Sequence, residues 1–143
     1  MNYFSSTRDI PTLNNIIMLL VRIFVAVAMI MLHGLPKLEK FLAGGEIQFY
    51  NFFGMGSSAT LILAILMELI CAFLIMIGLF TRAASLLLML VMAIAAFGVH
   101  FSDPFTVKES SLLFLSIFAL IFTFGPRKFS IDNMISQRRE TRW

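Results

Sequence analysis

The sequence predicts an all-α membrane protein: a four-transmembrane-helix bundle with both termini cytoplasmic and a short interfacial helix in the first outer loop. Three observations lead there. The 143 residues are 59% hydrophobic and only 13% charged, against about 25% charged in a typical soluble domain. Four apolar runs each approach the roughly 17–25 residues a helix needs to cross a bilayer. Finally, the basic residues gather on one side of those runs.

The helices are expected over about 16–35, 59–80, 83–100 and 109–125, followed by a basic cytoplasmic tail at 126–143, all in one membrane domain. Helix is the state required in lipid, where strand edges and loops find no partner for their backbone polar groups. The first run, "IIMLLVRIFVAVAMIMLH", carries an internal arginine and ends in His-Gly-Leu-Pro rather than in a small-residue cleavage site. It therefore reads as a retained helix and not as a signal peptide. Only "FTR" separates the second and third runs, so these form an antiparallel hairpin.

Orientation follows from lysine and arginine in the flanks. One side holds Arg8, Arg82, Arg127, Lys128, Arg138, Arg139 and Arg142. The other holds Lys37, Lys40 and Lys108, offset by Glu39, Glu46, Asp103 and Glu109. The first side is expected to be cytoplasmic. The net charge of +3 is then an orienting bias on the membrane and gives no reason to invoke nucleic acid. The tail "RKFSIDNMISQRRETRW" suits either an interfacial helix on anionic lipid or a solvated tail. In the first outer loop, Phe49, Phe52 and Phe53 fall at helical spacing between Gly44-Gly45 and Gly54-x-Gly56. Two readings stand for that short helix: an aromatic anchor at the interface, or a lid over a cavity between the helices.

One cysteine, Cys71, excludes an intrachain disulfide, a CxxC redox pair and a cysteine metal cluster; a small buried hydrophobe is its expected role. No metal site is expected.

The polar residues inside the runs carry the functional question. Arg22 and His33 are eleven residues apart and so share one stripe of the first helix, which Lys37 extends if the helix continues past Gly34. Glu68 falls near the middle of the second run, where a carboxylate must be neutral, hydrogen-bonded or paired. Arg22 is the one cation inside the runs, and rise arithmetic separates it from Glu68 by roughly 9 Å. It therefore either pairs with Glu68 or snorkels to the headgroups. Glu109, Ser116 and Thr123, spaced by seven, form a stripe on the fourth helix that either back-bonds to its own helix or lines the same polar seam. His100 ends the third helix on the side where His33 ends the first. The expected intramembrane seam is thus Arg22, Glu68, His33, Lys37, His100, Glu109, Ser116 and Thr123, with Lys108 near its outer mouth. An apolar cavity with a few convergent polar groups suits a small amphipathic ligand such as a quinone; the seam alone equally suits a proton path or a lipid headgroup. A haem held between His33 and His100 is the less favoured alternative.

Several short motifs then match a known family in order and spacing. "HGLPKL" (33–38) closes the first helix, "ME" (67–68) lies in the second, "GLFTR" (78–82) forms the hairpin turn, and "FGPRKFSID" (124–132) closes the fourth. With Arg22 and Glu109, this resembles the DoxX family of small four-helix bacterial membrane proteins, over about residues 17–134. The usual Gly-Pro-Gly of the last motif here reads Gly125-Pro126-Arg127. The resemblance implies a multi-pass protein of the bacterial inner membrane with a link to quinone-dependent oxidoreductases. It fixes neither a reaction nor a substrate. The expectation is a quinone-interacting subunit of a membrane redox system, with a soluble or membrane redox partner or a second copy of itself. The alternative is a non-catalytic membrane scaffold or a small-molecule or lipid-binding protein.

Overall fold

A computed structural model describes residues 10–45, 48–51 and 54–140. Every regular element among them is helical: α1 (Pro11–Leu42), α2 (Ser57–Ile77), α3 (Thr81–Val99), α4 (Phe105–Phe124) and α5 (Ile131–Glu140). The first four are long and apolar enough to cross a membrane. The expected interfacial helix of the first loop is not formed over Gln48, Phe49, Tyr50 and Asn51; Phe52 and Phe53 lie outside the described residues.

Neighbours in sequence are neighbours in space. α1 packs antiparallel on α2, α2 on α3, and α3 most extensively on α4, which returns to touch α1. Met29, Ile75, Leu88, Met92, Phe118 and Ile121 fill the centre and are fully covered. The outward faces carry Leu20, Phe24, Leu32, Phe73 and Leu113, all exposed, as a surface against lipid requires.

The helix ends differ from the sequence expectation for local reasons. α1 starts at Pro11, whose missing N–H is no loss in a first turn. It then runs through Pro36, because the chain widens into a π-turn at Ile30–Gly34, where the Leu35 amide donates to the Ile30 carbonyl. At 32 residues α1 is about 48 Å long, well over the ~30 Å hydrocarbon thickness. α2 stops at Ile77, three residues short of the expected end, because Gly78 takes a left-handed turn at φ 73°. Two more π-turns interrupt α2 at Met67–Cys71 and α3 at Ala95–Val99.

Candidate functional site

The bundle has two polar centres, one around Glu68 midway along α2 and one beside the α2–α3 turn. The first is built where α1 and α2 come closest. At Gly34 an added Cβ would collide with the Leu69 side chain, so glycine sets the approach of the two helices. Side chains on a helix lean toward its N-terminus. In this antiparallel pair, Lys37 therefore leans down into the bundle and Glu68 leans up to meet it. The Lys37 ammonium donates to Glu68 Oε1 and forms an ion pair. Glu68 is 1% exposed and Lys37 24%. The second carboxylate oxygen, Oε2, is buried and has no hydrogen-bond partner among the described residues.

This pair forms the polar end of a groove of about 240 Å³ between α2 and α3, walled by Leu63, Met67, Leu90, Val91 and Ile94. Leu63, Leu87 and Leu90 line it yet are exposed on the outside of the bundle, so the groove opens toward lipid. Thr60, also in the lining, donates its hydroxyl to the Gly56 carbonyl at 2.9 Å. Phe49 closes one side. Its loop is fastened by Lys40, which donates to the Gln48 carbonyl at 2.9 Å, and by Asn51 Oδ1, which accepts from the Gly56 amide at 2.8 Å.

Arg22 belongs to the second centre, away from Glu68, and so takes neither of the two courses left open for it. Its guanidinium is 1% exposed, so it does not snorkel out to solvent either. It leans away from Glu68, toward the α2–α3 turn, and donates through Nη2 to the Phe129 carbonyl. Nε and Nη1 have no partner among the described residues. An added Cβ on Gly78 would strike Nη1, which puts Arg22 level with the turn and about ten residues, or ~15 Å of helix rise, below Glu68.

The segment after α4 folds back to complete this end. Asp132 Oδ1 accepts from the Phe80 amide at 2.8 Å. Oδ2 accepts from the Thr81 amide and from the Thr81 hydroxyl, each at 2.9 Å. The Asp132 amide in turn donates to the Gly78 carbonyl at 2.9 Å. A carboxylate from a distant part of the chain thus caps the N-terminus of α3, where the helix dipole favours negative charge. Ser130 begins α5, its hydroxyl accepting from the Asn133 amide at 3.2 Å. Arg127 occupies φ 57°, a left-handed conformation that favours glycine; its guanidinium stands 5.5 Å from the Phe124 ring.

The remaining seam residues are not brought together. The half-buried His33 ring meets Phe114 edge-on, with centroids 5.0 Å apart. His100 Nδ1 lies 2.7 Å from Asp103 Oδ2, so the two histidines have separate partners. Lys108 donates to the Phe101 carbonyl at 2.6 Å. Glu109 is exposed. Ser116 and Thr123 are exposed as well, and donate within their own helix to the carbonyls of Leu112 and Ala119, both at 2.8 Å. Such back-bonds satisfy a hydroxyl facing lipid without recruiting a neighbour. Ser116→Ala and Thr123→Ala are therefore expected to change unfolding free energy by less than about 0.5 kcal/mol in a detergent-based unfolding titration. Among the described residues, no three His, Cys, Asp or Glu converge to hold a metal, and Cys71 is buried in the apolar core.

Sequence reasoning took Lys37 as an outer-edge residue and overlooked Thr60 as groove lining and Asp132 altogether. The signal for Lys37 was available in the N-terminal lean of helical side chains. The signal for Asp132 was not, because it caps a helix 51 residues away.

Four apolar helices, each able to cross a bilayer, surround a buried ion pair and a buried arginine: this is a multi-pass integral membrane protein. The DoxX family model matches residues 17–101. That is more than half of the chain, so the chain belongs to the DoxX family. The match takes in Arg22, Lys37 and Glu68 and ends before α4. No curated protein and no solved structure matches the chain.

Proposed function

We propose that this DoxX protein is one membrane domain of the bacterial inner membrane that serves a redox system as a quinone-interacting subunit, holding the quinone headgroup in the groove between α2 and α3. The carrying observation is the Lys37–Glu68 pair at the end of an otherwise apolar groove open toward lipid. A quinone travels in the hydrocarbon layer, and its oxygens need polar partners there. Lys37 retains ammonium N–H groups beyond the one given to Glu68. The redox partner, soluble or membrane-bound, would dock at a bilayer face.

We orient the chain with the α2–α3 turn, α5 and both termini in the cytoplasm. Arg82, Arg127, Lys128 and Arg138 belong to that end, whereas Lys40 and Lys108 at the other are offset by Glu39, Asp103 and Glu109. The loop over 43–56 then lies at the outer interface.

The test is thermal unfolding of the protein in phosphatidylcholine nanodiscs with and without a short-chain quinone. Saturation at a hundred times Kd stabilises by about 2.7 kcal/mol, which raises Tm by several degrees. Lys37→Met, which removes the donor to the quinone oxygen, is expected to diminish the shift. No shift in the wild-type protein refutes the proposal. The opening toward lipid also favours a second reading, a non-catalytic lipid-binding or scaffold protein. Native mass spectrometry showing the groove filled by phospholipid that quinone cannot displace supports that reading instead.

A further inference from the structure

The two carboxylate oxygens of Glu68 are unequal. Oε1 is taken by Lys37, while Oε2 is buried with no donor among the described residues. Nothing in the groove lining completes it: Thr60 spends its hydroxyl hydrogen on the Gly56 carbonyl, and the wall residues around the pair are apolar. A buried acceptor left open in this way is a standing penalty that a ligand hydrogen can remove. The neighbouring Lys37 ammonium offers the opposite character, spare donors and no acceptor. The polar end of the groove therefore holds one unfilled acceptor, itself covered, beside one donor, and a ligand hydrogen completes it once the Glu68 side chain turns Oε2 toward the groove.

A hydroxyl group matches both, because it donates through its hydrogen and accepts through its lone pairs. A carbonyl satisfies Lys37 alone and leaves Glu68 Oε2 unpaired. Resting on the reading of the groove as a quinone site, we propose that it selects the headgroup by its O–H donor, and holds a quinol in preference to the corresponding quinone. The Lys37 ion pair keeps Glu68 in its acceptor role. Glu68 is then the specificity-determining residue and Lys37 its positioning partner. A mouth opening toward lipid between Leu63 and Leu90 leaves the isoprenoid tail in the bilayer.

The experiment is anaerobic binding of a short-chain quinol and its matched quinone to the full chain in phosphatidylcholine nanodiscs, read by isothermal calorimetry. The expected result is quinol binding about 5- to 100-fold tighter than quinone, the range set by one buried unsatisfied acceptor. Glu68→Gln replaces the acceptor oxygen with an amide that can also donate, and is expected to bring the two affinities within about twofold. A Ser116→Ala control, on the exposed face of α4 and outside the groove lining, is expected to retain the preference. Equal affinities in the wild type, or a preference for quinone, overturn the selectivity while leaving the groove a quinone site. Binding of neither form overturns both readings. A preference that survives in a folded Glu68→Gln protein assigns the selectivity elsewhere and overturns the role given to Glu68.

Discussion

Lys37→Met is expected to destabilise the bundle by about 2–3 kcal/mol. Methionine keeps most of the apolar stem but leaves the Glu68 carboxylate, 1% exposed, without a cation. Breaking a fully buried pair from one side costs about 3–5 kcal/mol, and Lys37 is 24% exposed, which softens the figure. Glu68→Gln is expected to cost less, about 1 kcal/mol, because the released ammonium reaches the groove mouth while the amide remains a hydrogen-bonding group. Combining the two substitutions is expected to recover at least about 1 kcal/mol relative to the sum of the singles. Denaturant titration of the detergent-purified proteins measures all three. Strict additivity would show that the two side chains act independently, and would remove the basis for treating them as one site.

The second large effect is expected at the other centre, from Gly78→Ala. The backbone there has φ 73°, a conformation costing an L-residue about 1–2 kcal/mol. The new methyl group would also meet Arg22 Nη1, and would come within 2.6 Å of Ser130 Cβ. Overpacking adds about 1–3 kcal/mol, for a total near 3 kcal/mol. Because Gly78 also accepts the Asp132 amide through its carbonyl, the damage is expected to spread to the docking of α5. Limited proteolysis should then cleave the Gly78→Ala protein after α4 at a protease concentration the wild type survives. A Gly78→Ala protein with wild-type stability and an intact tail would refute the tight contact among α2, Arg22 and Ser130.

The four spans were legible because the hydrocarbon core imposes one requirement on any crossing segment, a long apolar helix, and 16–35, 59–80, 83–100 and 109–125 all met it. The ends were less legible. Nothing in "HGLPKLEK" announces that a π-turn will carry α1 through Pro36, and that continuation is what brings Lys37 into the bundle. The demand that Glu68 be neutral, hydrogen-bonded or paired was also legible; its partner was left open, because rise alone was compared. Antiparallel helices lean their side chains toward opposite ends, so Arg22 and Glu68 diverge while Lys37 and Glu68 converge. Of the two readings of the Ser116 and Thr123 stripe, back-bonding within the helix is the one formed, and spacing by seven alone marks one face without saying whether that face looks inward. The recipient of the Arg22 proton donor is a backbone carbonyl, to which any residue at 129 would contribute equally, so no side-chain pattern could have revealed it.

That carbonyl has a consequence for biogenesis. Arg22 lies on α1, and Phe129 follows 107 residues later. Until Phe129 is made the guanidinium is without its native acceptor, and the α3 start waits 51 residues for its Asp132 cap. The stretch after α4 therefore works as the keystone of the fold: until it swings back under the bundle, the α1 arginine and the α3 start both lack their native partners.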